Sequence, residues 1–271
     1  MKYLIIARYG VMAQAGSFIA RSCDYKRAEQ LILRTPRGTE IGEFMVLKQE
    51  LVLGMREETD GKVIGIASEE EISRMKRIRS GTQMEELRYC RERIRVRNLP
   101  MRLKFVEHIL GGERVTFYFT AEQRVDFRDL VKDLAEQFKT RIEMKQIGAR
   151  DEARLLEECG ICGMSLCCRL VLPKIEPVSM KMAKIQTSTL DPAKVSGRCG
   201  RLKCCFRYEH AVYRELGEGM PMVGDIVRTK AGEAEVIDLA VLAQRVRIRT
   251  GGPAPEVSEI PLADIIEVRK R

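Results

Sequence analysis

Seven of the chain's nine cysteines fall between Cys159 and Cys205, leaving only Cys23 and Cys90 outside. Six of the seven form two copies of one heptad. Cys162-Gly163-Met164-Ser165-Leu166-Cys167-Cys168 is echoed by Cys199-Gly200-Arg201-Leu202-Lys203-Cys204-Cys205. Each copy is Cys-Gly, three residues, then Cys-Cys, with Arg169 or Arg207 following within two positions. In a reducing compartment, thiols crowded this way indicate metal or redox chemistry rather than structural disulfides.

Each part of the heptad has a chemical use. Two thiolates separated by four residues reach one centre from the two sides of a tight turn. Glycine after the first cysteine frees the backbone, so that an amide N–H can turn toward sulfur. Arg169, Arg198, Arg201, Lys203 and Arg207 are expected to lower thiol pKa values and offset the charge of a thiolate-rich site. Adjacent side chains diverge, so one member of each vicinal pair is expected to face a shared centre and the other the core, a second centre or a partner. Ligand number narrows the choice of metal. A zinc ion held only by cysteines takes four thiolates, and so does one [4Fe–4S] cluster. Two all-cysteine clusters exceed the seven thiols present, so a second would borrow a ligand from a partner chain or a non-cysteine group. The candidate ligands are Cys162, Cys167, Cys168, Cys199, Cys204 and Cys205, with Cys159 as a seventh. His210 is the histidine nearest to them in sequence, although a surface histidine is its plainer reading.

Enzymatic readings fit less well. A cysteine nucleophile needs one activated thiol with a histidine base, and the chain has only His108 and His210. Cys159-x-x-Cys162 could serve a thiol oxidoreductase, but the strand-to-helix setting of a thioredoxin-like dithiol is not evident. Walker, Rossmann and HExxH signatures are absent. A zinc-stabilised nucleic-acid-binding protein remains the main non-catalytic alternative.

The elements that must position these thiols read as α+β. Residues 1–67 hold short apolar runs at Tyr3–Ala7, Ser17–Ala20, Gln30–Arg34, Glu43–Gly54 and Lys62–Ala67, separated by turn signals, which predicts a small barrel-like unit. Residues 68–150 open with a capping box, Ser68 with Glu71, ahead of one long helix or two helices broken at Gly81. Cys90 lies in the apolar stripe there and reads as a core thiol. Met101–Leu110 and Arg114–Thr120 read as a hairpin, Asp126–Thr140 as a helix capped by Asp126, and Arg141–Ile147 as a strand, an order that suggests a ferredoxin-like sandwich. Phe117 and Phe119 alternate onto one face and read as core rather than as an RNA-stacking platform. Residues 151–210 form the cysteine-rich insertion. Residues 219–271 read as a small SH3-like barrel with strands at Ile226–Thr229, Ala234–Leu239, Gln244–Arg249 and Ile265–Val268, and with turns at Gly232 and Gly251-Gly252.

Bulk properties set limits. No apolar run approaches the roughly 20 residues of a membrane helix. The signal-like start is interrupted by Arg8, Tyr9 and Gly10, which predicts a first strand and a cytoplasmic protein. The net charge of +9 permits an anionic partner without specifying one. Its densest stretch, Arg88 to Lys104, reads as a solvated helix face balanced by Glu85, Glu86 and Glu92.

Longer motifs carry a resemblance. They are Val125-Asp126-Phe127-Arg128-Asp129-Leu130-Val131-Lys132-Asp133-Leu134, Gln146-Ile147-Gly148-Ala149-Arg150-Asp151-Glu152-Ala153, Glu176-Pro177-Val178-Ser179-Met180-Lys181-Met182-Ala183-Lys184 and the run Lys194 to Cys205. Arg34-Thr35-Pro36-Arg37-Gly38-Thr39-Glu40-Ile41-Gly42 adds an N-terminal one. With these the chain resembles the YaaT (also RicT) family, named for sporulation and carrying a PSP-type C-terminal domain. The resemblance implies a non-catalytic cytoplasmic regulator that assembles with two small helical proteins, YmcA-like and YlbF-like. It implies [4Fe–4S] clusters bound through Cys162, Cys167, Cys168, Cys199, Cys204 and Cys205, with Cys159 outside the family pattern. It further implies action with a membrane-anchored endoribonuclease in mRNA maturation, affecting sporulation, competence and biofilm formation, with any RNA contact indirect.

Overall fold

The β-rich start of the chain closes on itself. β1 (Lys2–Tyr9), β2 (Gln14–Ala20), β3 (Gln30–Thr35), β4 (Gly38–Leu51) and β5 (Gly61–Ile66) form a closed barrel in the order β1-β2-β5-β3-β4. Closure leaves no free strand edge, and side chains at period two fill the interior: Ile5 and Ala7, Phe18 and Ala20, Leu31 and Leu33, with Phe44. Among the described residues the one parallel pairing in the barrel joins β2 to β5 through Phe18 and Gly61. The structure, a computed structural model, describes residues 2–51, 58–156, 159–170, 175–186, 189–251 and 255–270. The expected end of the fourth strand, Val52 to Gly54, and the expected turn residue Gly252 lie outside the described residues. The chain divides into two units, Met1–Pro173 and Lys174–Arg271.

Beyond the barrel, the first unit continues with α1 (Glu69–Ser80) and α2 (Thr82–Val96), two helices separated at Gly81. The capping box forms as its residues dictate: Ser68 Oγ accepts from the Glu71 amide at 3.2 Å, and Glu71 Oε2 accepts from the Ser68 amide at 2.8 Å. The bond from the Ser68 amide, and then one from the Ser68 hydroxyl at 2.9 Å, hold the Glu71 carboxyl below its usual range. Cys90 is fully buried on α2, where burial pushes its thiol up to about 12, as befits a core residue and not a ligand.

β6 (Arg102–His108), β7 (Arg114–Thr120) and β8 (Arg141–Gln146) make a three-stranded sheet in that order. The first pair is an antiparallel hairpin. The second is parallel, and α3 (Arg128–Phe138) provides the crossover between its strands. Phe117 and Phe119 are buried against α3 and its flanks, with ring centroids 6.3 Å from Phe138 and 5.7 Å from Phe127 respectively. They are core, as their alternation suggests. The opposite face of β7 is covered too, since Tyr118 packs with Met12, Ile147 and Leu155. The α+β class holds, but a ferredoxin-like sandwich has four strands and two crossovers, whereas this sheet has three strands and one crossover among the described residues. Asp126 also differs from expectation. Phe127 occupies the cap position of α3, and Asp126 instead accepts from the Arg128 amide at 3.2 Å one residue earlier and pairs with the Arg128 guanidinium. α4 (Ala149–Leu155) and the single turn α5 (Cys167–Leu170) complete the unit.

In the second unit α6 (Met180–Gln186), α7 (Pro192–Val195) and α8 (Cys205–Gly217) pack around Ala183, Val195 and Phe206. An antiparallel sheet follows: β9 (Ile226–Thr229), β10 (Gly232–Ala240), β11 (Arg245–Thr250), β12 (Val257–Pro261) and β13 (Ile265–Arg269), ordered β12-β11-β10-β9-β13 over a core of Val227, Val236, Val246 and Ile248. The first strand, β9, pairs with both β10 and the last strand, β13, and the outer strands β12 and β13 are not paired to each other among the described residues. No helix among the described residues is long and apolar enough to cross a membrane.

Candidate metal centre

The repeated heptad is repeated in three dimensions. In the first copy Cys159 bridges to Ser165, and the Gly160 amide donates to the Met164 carbonyl at 2.8 Å. In the second, Ser196 bridges to Leu202, and the Gly197 amide donates to the Arg201 carbonyl at 2.8 Å. Inside each loop the second glycine closes a tight turn, Gly163 N–H to Gly160 O and Gly200 N–H to Gly197 O, both at 3.0 Å. Both glycines are left-handed, with φ of +77° and +71°. Each turn then delivers its Cys-Cys pair to a helix start, α5 in the first copy and α8 in the second. The repeated unit is therefore longer than the heptad: Gly-x-Cys-Gly-x3-Cys-Cys, preceded by Cys159 in one copy and Ser196 in the other.

The glycines explain why the turn tolerates little else. A side chain on Gly160 would meet Cys162 Sγ at 3.2 Å, a tight contact, whereas at Gly197 the matching Cys199 Sγ lies at an ordinary 3.8 Å. At Gly163 and Gly200 nothing lies within 4 Å, and the constraint is conformational alone. Gly163→Ala and Gly200→Ala are each expected to cost about 1–2 kcal/mol, the penalty of left-handed backbone for an L-residue. Urea unfolding followed by circular dichroism measures it.

The thiols differ in exposure. Cys159 and Cys162 are exposed, Cys167, Cys199, Cys204 and Cys205 half-buried, and Cys168 only 5% exposed. The first vicinal pair thus splits between surface and core, while both members of the second keep partial access. Two of the basic neighbours are held by other partners. Arg169 Nη1 donates to the Arg154 carbonyl at 2.8 Å, tying α5 to α4, and Arg207 pairs with Glu176. The Cys205 thiol moves up instead, pushed mainly by burial, then by Glu209 and Cys204, with Lys203 opposing.

The donor set suits a thiolate-bound metal or cluster, and one further feature fits it. Arg154, 7% exposed beside α5, pairs through Nη1 with Asp151 at 3.7 Å and keeps Nε and Nη2 buried without a hydrogen-bond partner among the described residues. A buried cation of this kind is matched by an anionic centre rich in thiolate. His210, expected at the surface, is half-buried on α8, and its Nδ1 is buried without a partner among the described residues. Among the described residues no three His, Cys, Asp or Glu side chains already converge at metal-binding distance. The first turn belongs to the first unit and the second turn to the second unit.

Comparison with known proteins gives this site a family. Residues 61–147 match the PSP1 C-terminal conserved region, and residues 177–220 match the third domain of PSP1-like proteins. The chain is 40% identical over 223 residues to the stage 0 sporulation protein YaaT of Bacillus subtilis (strain 168), a match that covers 80% of this chain and 79% of that one. The chain belongs to the YaaT/RicT family. A shorter stretch of 62 residues, 23% of this chain and 8% of the relative, is 42% identical to an uncharacterized protein of Schizosaccharomyces pombe. No solved structure matches. In this YaaT/RicT-family chain the second cysteine turn lies inside the PSP1-like third domain, whereas the first falls between the two matched regions.

Proposed function

We propose that this chain is a non-enzymatic cytoplasmic scaffold that holds an iron–sulfur cluster through its cysteine turns and supports mRNA maturation by an endoribonuclease. The observation that carries the reading is the repeated turn: one set of backbone bonds and one left-handed glycine present Cys and Cys-Cys twice over. Cys162, Cys167, Cys168, Cys199, Cys204 and Cys205 are the thiolate donors, with Cys159 as an added candidate. Soft thiolates suit iron–sulfur chemistry, and a bound cluster would supply a rigid anionic anchor. The chain's own part is to orient the thiols, to turn amides toward sulfur and to offset charge with Arg154. Small helical partners of the YmcA and YlbF kind are the assembly partners that the family membership favours, and they could supply a missing ligand.

Anaerobic purification of the full chain, alone and with such helical partners, followed by iron, sulfide and zinc analysis, tests this. Iron and sulfide in equal amounts are expected. Stoichiometric zinc without iron would overturn the cluster.

One observation favours zinc as a second reading. Cys159 and Cys162 bracket the first turn as Cys-x-x-Cys-Gly, a spacing common in zinc-binding loops. Ser196→Cys would build the same pair in the second turn. On this reading the variant gains bound zinc after anaerobic purification, and unchanged zinc removes the reading.

A further inference from the structure

A cavity in the first unit, lined by residues of β1, α1 and α5 among others, has a volume of about 720 Å³. Four cations line it from three elements: Arg8 on β1, Lys76 and Arg79 on α1, and Arg169 on α5. One carboxylate, Glu43 on β4, faces them. Elsewhere in the unit arginines are matched by acids, as in Arg34 with Glu113, Arg97 with Asp133 and Arg114 with Glu143. Here Arg8 donates to the Leu170 carbonyl at 3.3 Å and Arg169 to the Arg154 carbonyl. Lys76 and Arg79 form no ion pair among the described residues. Like charges gathered around one cleft repel one another and focus a positive potential into it.

We propose that this cavity binds a nucleotide-sized ligand carrying at least two phosphate groups. Lys76 and Arg79 stand three residues apart on one face of α1, which suits two successive phosphates. Arginine forks bind phosphate oxygens in pairs, and the backbone carbonyls that hold Arg8 and Arg169 fix where those two forks sit. Ile72, Met75 and Phe105 supply an apolar shelf for a base. The volume falls in the range of small-ligand sites, roughly 300–1,000 Å³. A single-stranded polymer would instead need an extended track of stacking rings, and Phe117 and Phe119, the aromatic pair on the neighbouring sheet, are buried in its core.

The test uses the full chain, which has no tryptophan to complicate a fluorescent probe. ADP carrying an N-methylanthraniloyl group is titrated by anisotropy, with unlabelled ADP, inorganic pyrophosphate and a ten-residue oligouridylate as competitors. Saturable binding displaced by ADP and by pyrophosphate is expected. Arg79→Gln and Lys76→Gln, both exposed on α1, should each weaken binding by about tenfold, the loss of one charge-assisted contact. Lys62→Gln, outside the cavity, should leave it unchanged. Should Arg8→Gln fail to fold, the two α1 variants decide the matter. Absence of saturable binding, binding indifferent to Arg79 and Lys76, or displacement by the oligonucleotide alone overturns the proposal.

Discussion

Arg37→Ala is expected to cost about 3–5 kcal/mol of folding stability, the penalty for leaving buried carboxylates without their cation. Arg37 sits in the turn between β3 and β4, where its Nε donates to Glu40 Oε1 at 3.0 Å and its Nη2 pairs with the same carboxylate. Its Nη1 reaches across to Glu107 on β6 at 2.8 Å. Glu40 and Glu107 are only 3% and 6% exposed. Tyr118 donates to Glu107 at 2.6 Å, and the Val11 amide donates to the other oxygen at 2.7 Å. The network therefore joins the barrel to the central sheet through the Arg37 guanidinium and the Val11 amide. Burial pushes the Glu107 carboxyl up, but bonds from Arg37 and Tyr118 outweigh it and hold the carboxyl below its usual 4.5. A carboxyl depressed in the folded state contributes stability above its unfolded value and loses it as pH falls through the folded one. Stability should accordingly fall on acidification below about pH 4.5, and the Arg37→Ala chain should lose less on the same acidification. Urea midpoints measured across pH check both. An unchanged midpoint in Arg37→Ala would mean that the network is not a joint.

Cys162→Ser and Cys199→Ser should each abolish most of the iron that purifies with the chain, because each removes the thiol that the turn glycines present. Cys23→Ser, in the connection between β2 and β3, should leave iron content intact. Thermal unfolding of the metal-free chains should scarcely differ for Cys162→Ser, whose side chain is exposed. Iron retained in both turn variants would leave the repeat without its proposed purpose.

Much of this was legible in the residues, and the omissions have physical causes. The heptad needs no partner to be noticed, because its cysteines and glycines are local. Its extension to Gly160 and Gly197 was written there as well, in two Gly-x-Cys-Gly runs. Serine in place of Cys159 hid it from a search guided by thiols. Strands of the barrel follow from period-two apolar runs, but closure rests on β2 meeting β5 some forty residues later, a pairing that no local pattern encodes. The same distance effect concealed Arg37. An arginine in a Thr-Pro-Arg-Gly turn reads as solvent-facing until Glu107, seventy positions away, comes against it. Helices α6 and α7 are too short for helical periodicity to emerge, and Asp126 shows that a side chain one residue early can serve the same helix start without being its cap.

One difference between the two turns, Cys159 against Ser196, gives them unequal fates under peroxide. Cys159 and Cys162 are exposed thiols three positions apart in one short loop that Cys159 and Ser165 close. In the metal-free chain a sulfenic acid formed on either has a resolving thiol in the same loop, and the resulting disulfide can be reduced again. Ser196 has no sulfur to offer Cys199, so the second turn has no such resolving pair around its loop. In the metal-free chain, oxidation of the first turn has a reversible end point that the second lacks at the matching position.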